Sequence, residues 1–184
     1  MSDEIGKRSS RRSVSLLLAL VAIVMVMGAV TWLQNRGRSL PTTAKLAVLS
    51  GEGTVTRADV GSDPPLSAGE KTVLQRGDEV RVGPESRAEL TFNDQETVEL
   101  DADTHIGILD LHQSPMSRDL VVILALHEGK TLTRIRSMLF QGARFEIETK
   151  VATVRARGTV FGCDIVEENH VYVAAYEGVV QVFK

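Results

Sequence analysis

RAELTFNDQETVEL, residues 87–100, is the stretch on which the fold class turns. Along an extended chain, Ala88, Leu90 and Phe92 fall on one side and Arg87, Glu89 and Thr91 on the other. Val98 and Leu100 resume the pattern after a break at Asn93-Asp94. Alternation with a period of two over a short segment marks a half-buried strand. Asn and Asp tolerate positive φ and bond their own backbone, so the break reads as a turn between two such strands.

The same rhythm spreads outward from this hairpin. RFEIET aligns Phe145 with Ile147, VYVAAYEG aligns Val171, Val173 and Ala175, and VVQVF aligns Val180 with Val182. Turn residues punctuate it at Arg76-Gly77-Asp78, Gly83-Pro84, Glu128-Gly129 and Glu177-Gly178. About ten or more short strands at this spacing predict an all-β domain: a multi-strand sandwich, a barrel or a solenoid. KTLTRIRSMLFQGA, from Lys130, reads as a strand followed by a single helical turn. Leu120 to Leu126 (LVVILAL) is apolar on both faces, which predicts a central strand covered on both sides. A membrane-surface or partner contact is the sharper alternative for it.

The N-terminal part is of another kind. Val14 to Leu33 holds twenty residues without a charge, a run of roughly 30 Å as a helix, enough to cross a bilayer core. A signal peptide would carry a shorter apolar region of about 7–15 residues and a small-x-small site. Met27-Gly28-Ala29 is a poor match to such a site, so an uncleaved signal anchor is expected. Trp32 sits at the far edge, where an amphipathic ring suits the headgroup zone. Lys7, Arg8, Arg11 and Arg12 lie tightly before the run, against Arg36, Arg38 and Lys45 after it, which places the N-terminus inside. The expected organisation is a cytoplasmic tail (1–13), a transmembrane helix (14–33), a linker (34–43) and an extracytoplasmic β domain (44–184).

Composition narrows the function. Taking the six basic and two acidic residues of the first 38 from totals of 21 and 24 leaves the outer part at a formal charge of minus seven. Such an excess repels nucleic acid. A single cysteine excludes an internal disulfide and leaves a buried thiol or an intermolecular link. His105, His112, His127 and His170 are scattered, with no HExxH and no pair at ligand spacing. No nucleophile elbow or phosphate-cradling glycine loop occurs, so neither catalysis, nor a cofactor, nor a metal is expected. Asp94, Asp101 and Asp103 leave calcium open, but three carboxylates fall short of the six to eight oxygens that ion takes. Aromatics are only 4% of the chain, which argues against a glycan-stacking platform.

The arginines offer the best candidate contact. Arg134 and Arg136 share a strand face if extended, as do Arg155 and Arg157. Cross-strand pairing with Glu146, Glu148 or Glu177 accounts for them; an acidic partner loop or an anionic headgroup is the alternative. In VRARGTVFGCDI, residues 154–165, Gly158 permits a backbone geometry that larger residues resist. Beyond it, Phe161, Cys163 and Ile165 align on an apolar face, which makes Cys163 a small buried hydrophobe rather than a reactive thiol.

The order of four blocks resembles the FecR domain, an extracytoplasmic module of bacterial iron-transport regulators. The blocks are LSGEGTVTRA from Leu49, LQRGDEVRVGPESRAELTFNDQETVELDADT from Leu74, ARFEIETKVATVRARGTVFGCDI from Ala143 and VAAYEGVVQV from Val173, and the resemblance covers Lys45 to Phe183. The family's third block usually carries Thr-Pro-x-Ala before a Val-Arg-Gly-Thr turn. Here Lys150 replaces the proline and Ala156 the valine, while Arg157, Gly158 and Thr159 match.

The resemblance implies a single-pass anchor in a bacterial cytoplasmic membrane that displays a FecR-like all-β domain, sandwich or right-handed solenoid, outside it. Regulators of the family carry a cytoplasmic helical region that binds a sigma factor; a tail of thirteen residues makes that role unexpected here. The expected function is a binding or scaffolding module of the cell envelope, recognising a protein or envelope polymer through Arg134, Arg136, Arg155 and Arg157. The alternatives are a transmembrane signal transducer related to iron-uptake regulators, and an accessory subunit of a membrane complex held through Gly28 and Ala29.

Overall fold

The computed structural model describes Met25, Met27 and residues 40–114, 117, 119–136, 142–167 and 169–184. The chain divides into two compact units, Met1–Arg38 and Ser39–Lys184, and the second holds all the strands. The expected tail, and the expected membrane helix apart from Met25 and Met27, lie outside the described residues. Among the described residues no helix is long and apolar enough to cross a membrane.

Every regular element of the second unit is a strand, seventeen in all among the described residues. The first six are β1 (Leu40–Pro41), β2 (Ala44–Ser50), β3 (Glu52–Arg57), β4 (Gly61–Ser62), β5 (Leu66–Ser67) and β6 (Lys71–Leu74). Then come β7 (Glu79–Val82), β8 (Arg87–Phe92), β9 (Glu96–Leu100), β10 (His105–Gln113), β11 (Leu120–Glu128) and β12 (Lys130–Arg134). The last are β13 (Arg144–Glu148), β14 (Thr153–Ala156), β15 (Val160–Glu167), β16 (His170–Glu177) and β17 (Val180–Phe183). All five expected turns fall between strands.

These strands form two open sheets. One runs β16-β15-β12-β9-β8-β2-β6; the other runs β17-β14-β13-β11-β10-β7-β3-β4, with β1 beside β10 and β5 beside β3. Neither closes on itself, which excludes a barrel. After β11 the chain visits the first sheet as β12, returns as β13 and β14, leaves again as β15 and β16, and ends in the second sheet as β17. The excursion through β12 lets β13 lie parallel to β11; every other pairing is antiparallel.

The opening hairpin behaves as its alternation requires. Ala88, Leu90, Phe92, Val98 and Leu100 are all at most 1% exposed, and Leu90 lies opposite both Leu46 and Val98. Asn93 and Asp94, at φ 48° and 57°, make the turn. The shared interior is direct: Phe92 of one sheet meets Phe145 of the other edge-on, ring centroids 6.1 Å apart. Truncating either ring to Ala would cost about 3–5 kcal/mol, transfer energy plus cavity.

Two details differ from expectation, and a third cannot be compared. β11 is central in its sheet, with Leu120, Val122, Leu124 and Leu126 in the core, but Val121 and Ile123 on its reverse are only half-buried, because the first sheet covers only the opposite face. Val182 lies opposite buried Val154 yet is 53% exposed, since β17 is the outermost strand. Of the helical turn expected after β12, residues 137–141 lie outside the described residues.

The Arg76-Gly77-Asp78 turn is anchored by its aspartate. Buried Asp78 accepts from the Gln75 and Ala58 amides and from Arg57 Nη1 at 2.9–3.2 Å. Arg57 also donates to Asp63, Val73 and Thr72, so its guanidinium is fully used within the fold.

Candidate functional site

The reverse side of the second sheet, away from the core, carries a cluster of paired charges. Alternation along β13 buries Phe145 and Ile147 and turns Arg144, Glu146 and Glu148 outward. Register sets Glu146 directly opposite Arg155 of β14, which faces Gln181 of β17. Glu146 is nevertheless 0% exposed, because guanidinium groups close over it. Arg144 Nη2 donates to Oε2 at 2.5 Å, and Arg155 Nε donates to Oε1. The Arg155 guanidinium also lies over the Phe183 ring, 5.1 Å from its centroid, a cation–π contact at the sheet edge.

Burial alone would raise the Glu146 carboxyl; the hydrogen bonds and charges of Arg144 and Arg155 outweigh it and hold the group below its ordinary value. The hydrogen bond to Glu146 in turn raises Arg144 above the usual guanidinium value, against a smaller opposing effect of burial. The clamp is a fold device, since it satisfies a buried carboxylate. It also brings two guanidinium groups together over one buried carboxylate, with Glu148 and Asp110 acting on Arg144 as well.

The clamp borders a cleft of about 610 Å³ lined by Arg144, Arg155 and Arg157 together with Gly142, Ala143, Ala156, Val179 and Gln181. Arg157 belongs to the turn that leads from β14 across to β15. Gly158 there has φ +60°, a left-handed geometry costly for residues with a Cβ. Thr159 is 1% exposed, and its carbonyl accepts from the Ile135 amide at 2.9 Å. Gly178, φ +75°, packs onto this turn so closely that a Cβ would lie 2.7 Å from Thr159 Cγ2 and 2.8 Å from the Gly158 carbonyl oxygen. The Arg157-Gly158-Thr159 signature is therefore the crossover that aims Arg157 into the cleft.

The four arginines singled out in the sequence do not form one surface. Arg155 and Arg157 share the cleft, joined by Arg144. Arg134 points from the outer face of the other sheet and pairs with Glu99, and Arg136 is exposed past the end of β12. Of the acidic partners expected, Glu146 pairs with Arg155, whereas Arg134 takes Glu99 because β12 runs beside β9. Arg144 is not among those four arginines, although the Arg144-Phe145-Glu146-Ile147 alternation marks it as an outward residue. Cys163 is 0% exposed, and burial first, then Asp164, pushes its thiol up to about 12, as befits a core hydrophobe. Asp94 pairs with Lys45 and Asp101 with Arg87, at opposite ends of β9, while Asp103 occupies a turn at φ 55°. The three do not converge into a calcium cage.

Known proteins resemble the chain at two levels. No curated protein matches it. Among solved structures, a candidate anti-sigma factor from Parabacteroides distasonis matches with 20% identity and a TM-score of 0.38, over 57% of this chain and 50% of that one. The chain thus spans half the length of that protein. A family model described as FecR protein matches residues 78–181, from the anchored Asp78 through the clamp, the cleft and the signature turn to Gln181. On that match, which takes in more than half of its length, the chain belongs to the FecR family.

Proposed function

We propose that this protein is a regulatory FecR module that transduces a signal by binding a protein partner, with the Arg144–Arg155–Arg157 cleft as the docking point for an acidic segment. The observation that carries the reading is the placement of this cleft on the family's own Arg157-Gly158-Thr159 crossover, within residues 78–181. Fixed guanidinium groups suit carboxylates because their planar forks bind two oxygens at once. The clamp holds Arg144 and Arg155 in position, so less side-chain entropy is lost when a partner binds. We further propose that the uncharged run at 14–33 tethers the module to a bacterial cytoplasmic membrane with the β domain outside, which makes that helix the route for the signal.

The test is photocrosslinking in intact cells from a probe at Gln181, in the cleft, and from a control probe at Glu89, on the outer face of the other sheet. A protein adduct from Gln181 alone, abolished by Arg157→Glu and accompanied by an altered transcript profile in that variant, is the expected result. The same adducts from both positions, or none from the cleft, would refute the docking surface. An adduct lost without any change in transcription would leave a scaffold in place of a transducer.

A further inference from the structure

A second cluster lies on the same reverse face, where Glu79 of β7, His105 of β10 and His127 of β11 converge. It does not rest on the cleft. Far apart in sequence, the two histidines sit on neighbouring strands with their rings 4.5 Å apart, centroid to centroid. His105 Nε2 is 3.0 Å from Glu79 Oε2, and one ligating atom from each of the three residues lies within 4.8 Å of the others.

The backbone explains how they meet. Gly107 pairs with Glu79 on one side and Ala125 on the other. Just beside it the β10–β11 register slips: His105 aligns with Glu128 but Ile106 with Leu126, so His127 is the extra residue of a bulge. A Cβ on Gly107 would stand 3.5 Å from Glu79 Cγ and 3.6 Å from His127 Nε2. Gly107 does not have the positive φ that would demand glycine. A Cβ would already touch two of the three ligand side chains at ordinary contact distance, so any larger side chain there would reach into the space between them.

Two imidazoles and a carboxylate form an N₂O set, the composition of zinc sites that keep one position open. Nitrogen donors disfavour calcium and magnesium, which take oxygen. His105 is buried and anchors the set, while Glu79 and His127 face solvent, so an ion's remaining position is accessible. We propose that Glu79, His105 and His127 bind one divalent transition-metal ion, Zn²⁺ foremost, through three protein ligands with a solvent-facing fourth position.

The experiment titrates the full purified chain with Zn²⁺ by calorimetry and with Co²⁺ by visible absorption. One equivalent of Zn²⁺ is expected, with Co²⁺ giving the intense d–d bands of a low-coordinate complex and Mg²⁺ failing to compete. Glu79→Gln and His127→Gln, both at exposed positions, should each weaken Zn²⁺ at least tenfold without altering the β-sheet circular dichroism. Gly107→Val should do the same by filling the space between the ligands. The double variant His112→Gln/His170→Gln, at the two histidines outside the cluster, should bind like the parent. Absence of Zn²⁺ uptake by the parent would overturn the assignment, as would uptake that survives Glu79→Gln and His127→Gln or is lost with His112 and His170.

Discussion

The Glu146 clamp makes a prediction whose sign changes with the variant. In the parent Glu146 is buried and bonded to two arginines whose side chains are each close to half exposed. Replacing one arginine, in Arg144→Met or Arg155→Met, leaves the other and removes a charge-assisted hydrogen bond, a cost of about 1.5–3 kcal/mol. Replacing both strands an unpaired carboxylate, for which uncompensated burial costs about 3–5 kcal/mol. The protein can limit that cost by protonating Glu146. Holding a carboxyl protonated at pH 7 from an ordinary value of about 4.3 costs roughly 3–4 kcal/mol, at 1.36 kcal/mol per pH unit.

The two forms therefore have opposite pH slopes. Parent Glu146 has a depressed folded-state pKa, so its contribution is present above the unfolded value and fades as pH falls through the folded one. In the double variant the folded pKa is raised, so that protein gains stability relative to the parent as pH falls from 7 toward 5. At pH 7 a loss of about 3.5 kcal/mol corresponds to a melting shift of roughly 7–14 °C for a chain of this size. Adding Glu146→Met to the double variant removes the stranded charge and should restore most of the loss while flattening the slope. Thermal melts of the full chain followed by circular dichroism between pH 5 and 7.5 read the parent and all four variants. A double variant that melts within a degree or two of the parent, or keeps the parent's slope, would refute a buried, arginine-neutralised Glu146.

The same packing sets three further outcomes. Gly178→Ala combines a left-handed backbone with a Cβ 2.7 Å from Thr159 Cγ2 and should cost about 2–4 kcal/mol, whereas Gly158→Ala, with nothing within 4 Å, should cost only about 1–2 kcal/mol; equal melting shifts would contradict the close packing of the crossover. Cys163, its thiol pushed up to about 12 by burial first and Asp164 second, should resist a thiol reagent at pH 8 in the folded protein and react once denaturant is added; rapid labelling of the native state would show an open core. Thr133→Val should be neutral or stabilising by about 1 kcal/mol in urea titration, because the buried Thr133 hydroxyl has no hydrogen-bond partner among the described residues; a loss beyond 2 kcal/mol would reveal one.

What could be read from the sequence, and what could not, divides along a physical line. Leu90, Phe92, Val98, Phe145 and Ile147 announced their burial because alternation is a local property: each strand chooses its face with its own residues. The Arg157-Gly158-Thr159 turn was legible for a similar reason, since a left-handed glycine is a demand of one position. The clamp was half legible. Glu146 was a named partner for the arginines, but which arginine reached it depended on β13 pairing with β14, and Arg134, of the same residue type, went to Glu99 on the other sheet. The Glu79–His105–His127 cluster was not legible at all. Its members come from three strands, and they meet because β7, β10 and β11 lie side by side and the alternation of each turns Glu79, His105 and His127 to the reverse face. In a two-sheet fold the core is written strand by strand, whereas a site on the reverse face is written in the register between strands. Which strands lie side by side leaves no local mark in the sequence. The glycine beneath the cluster is the nearest thing to such a mark: within an alternating strand, a residue that gives up its side chain without needing positive φ signals that something must lie above it.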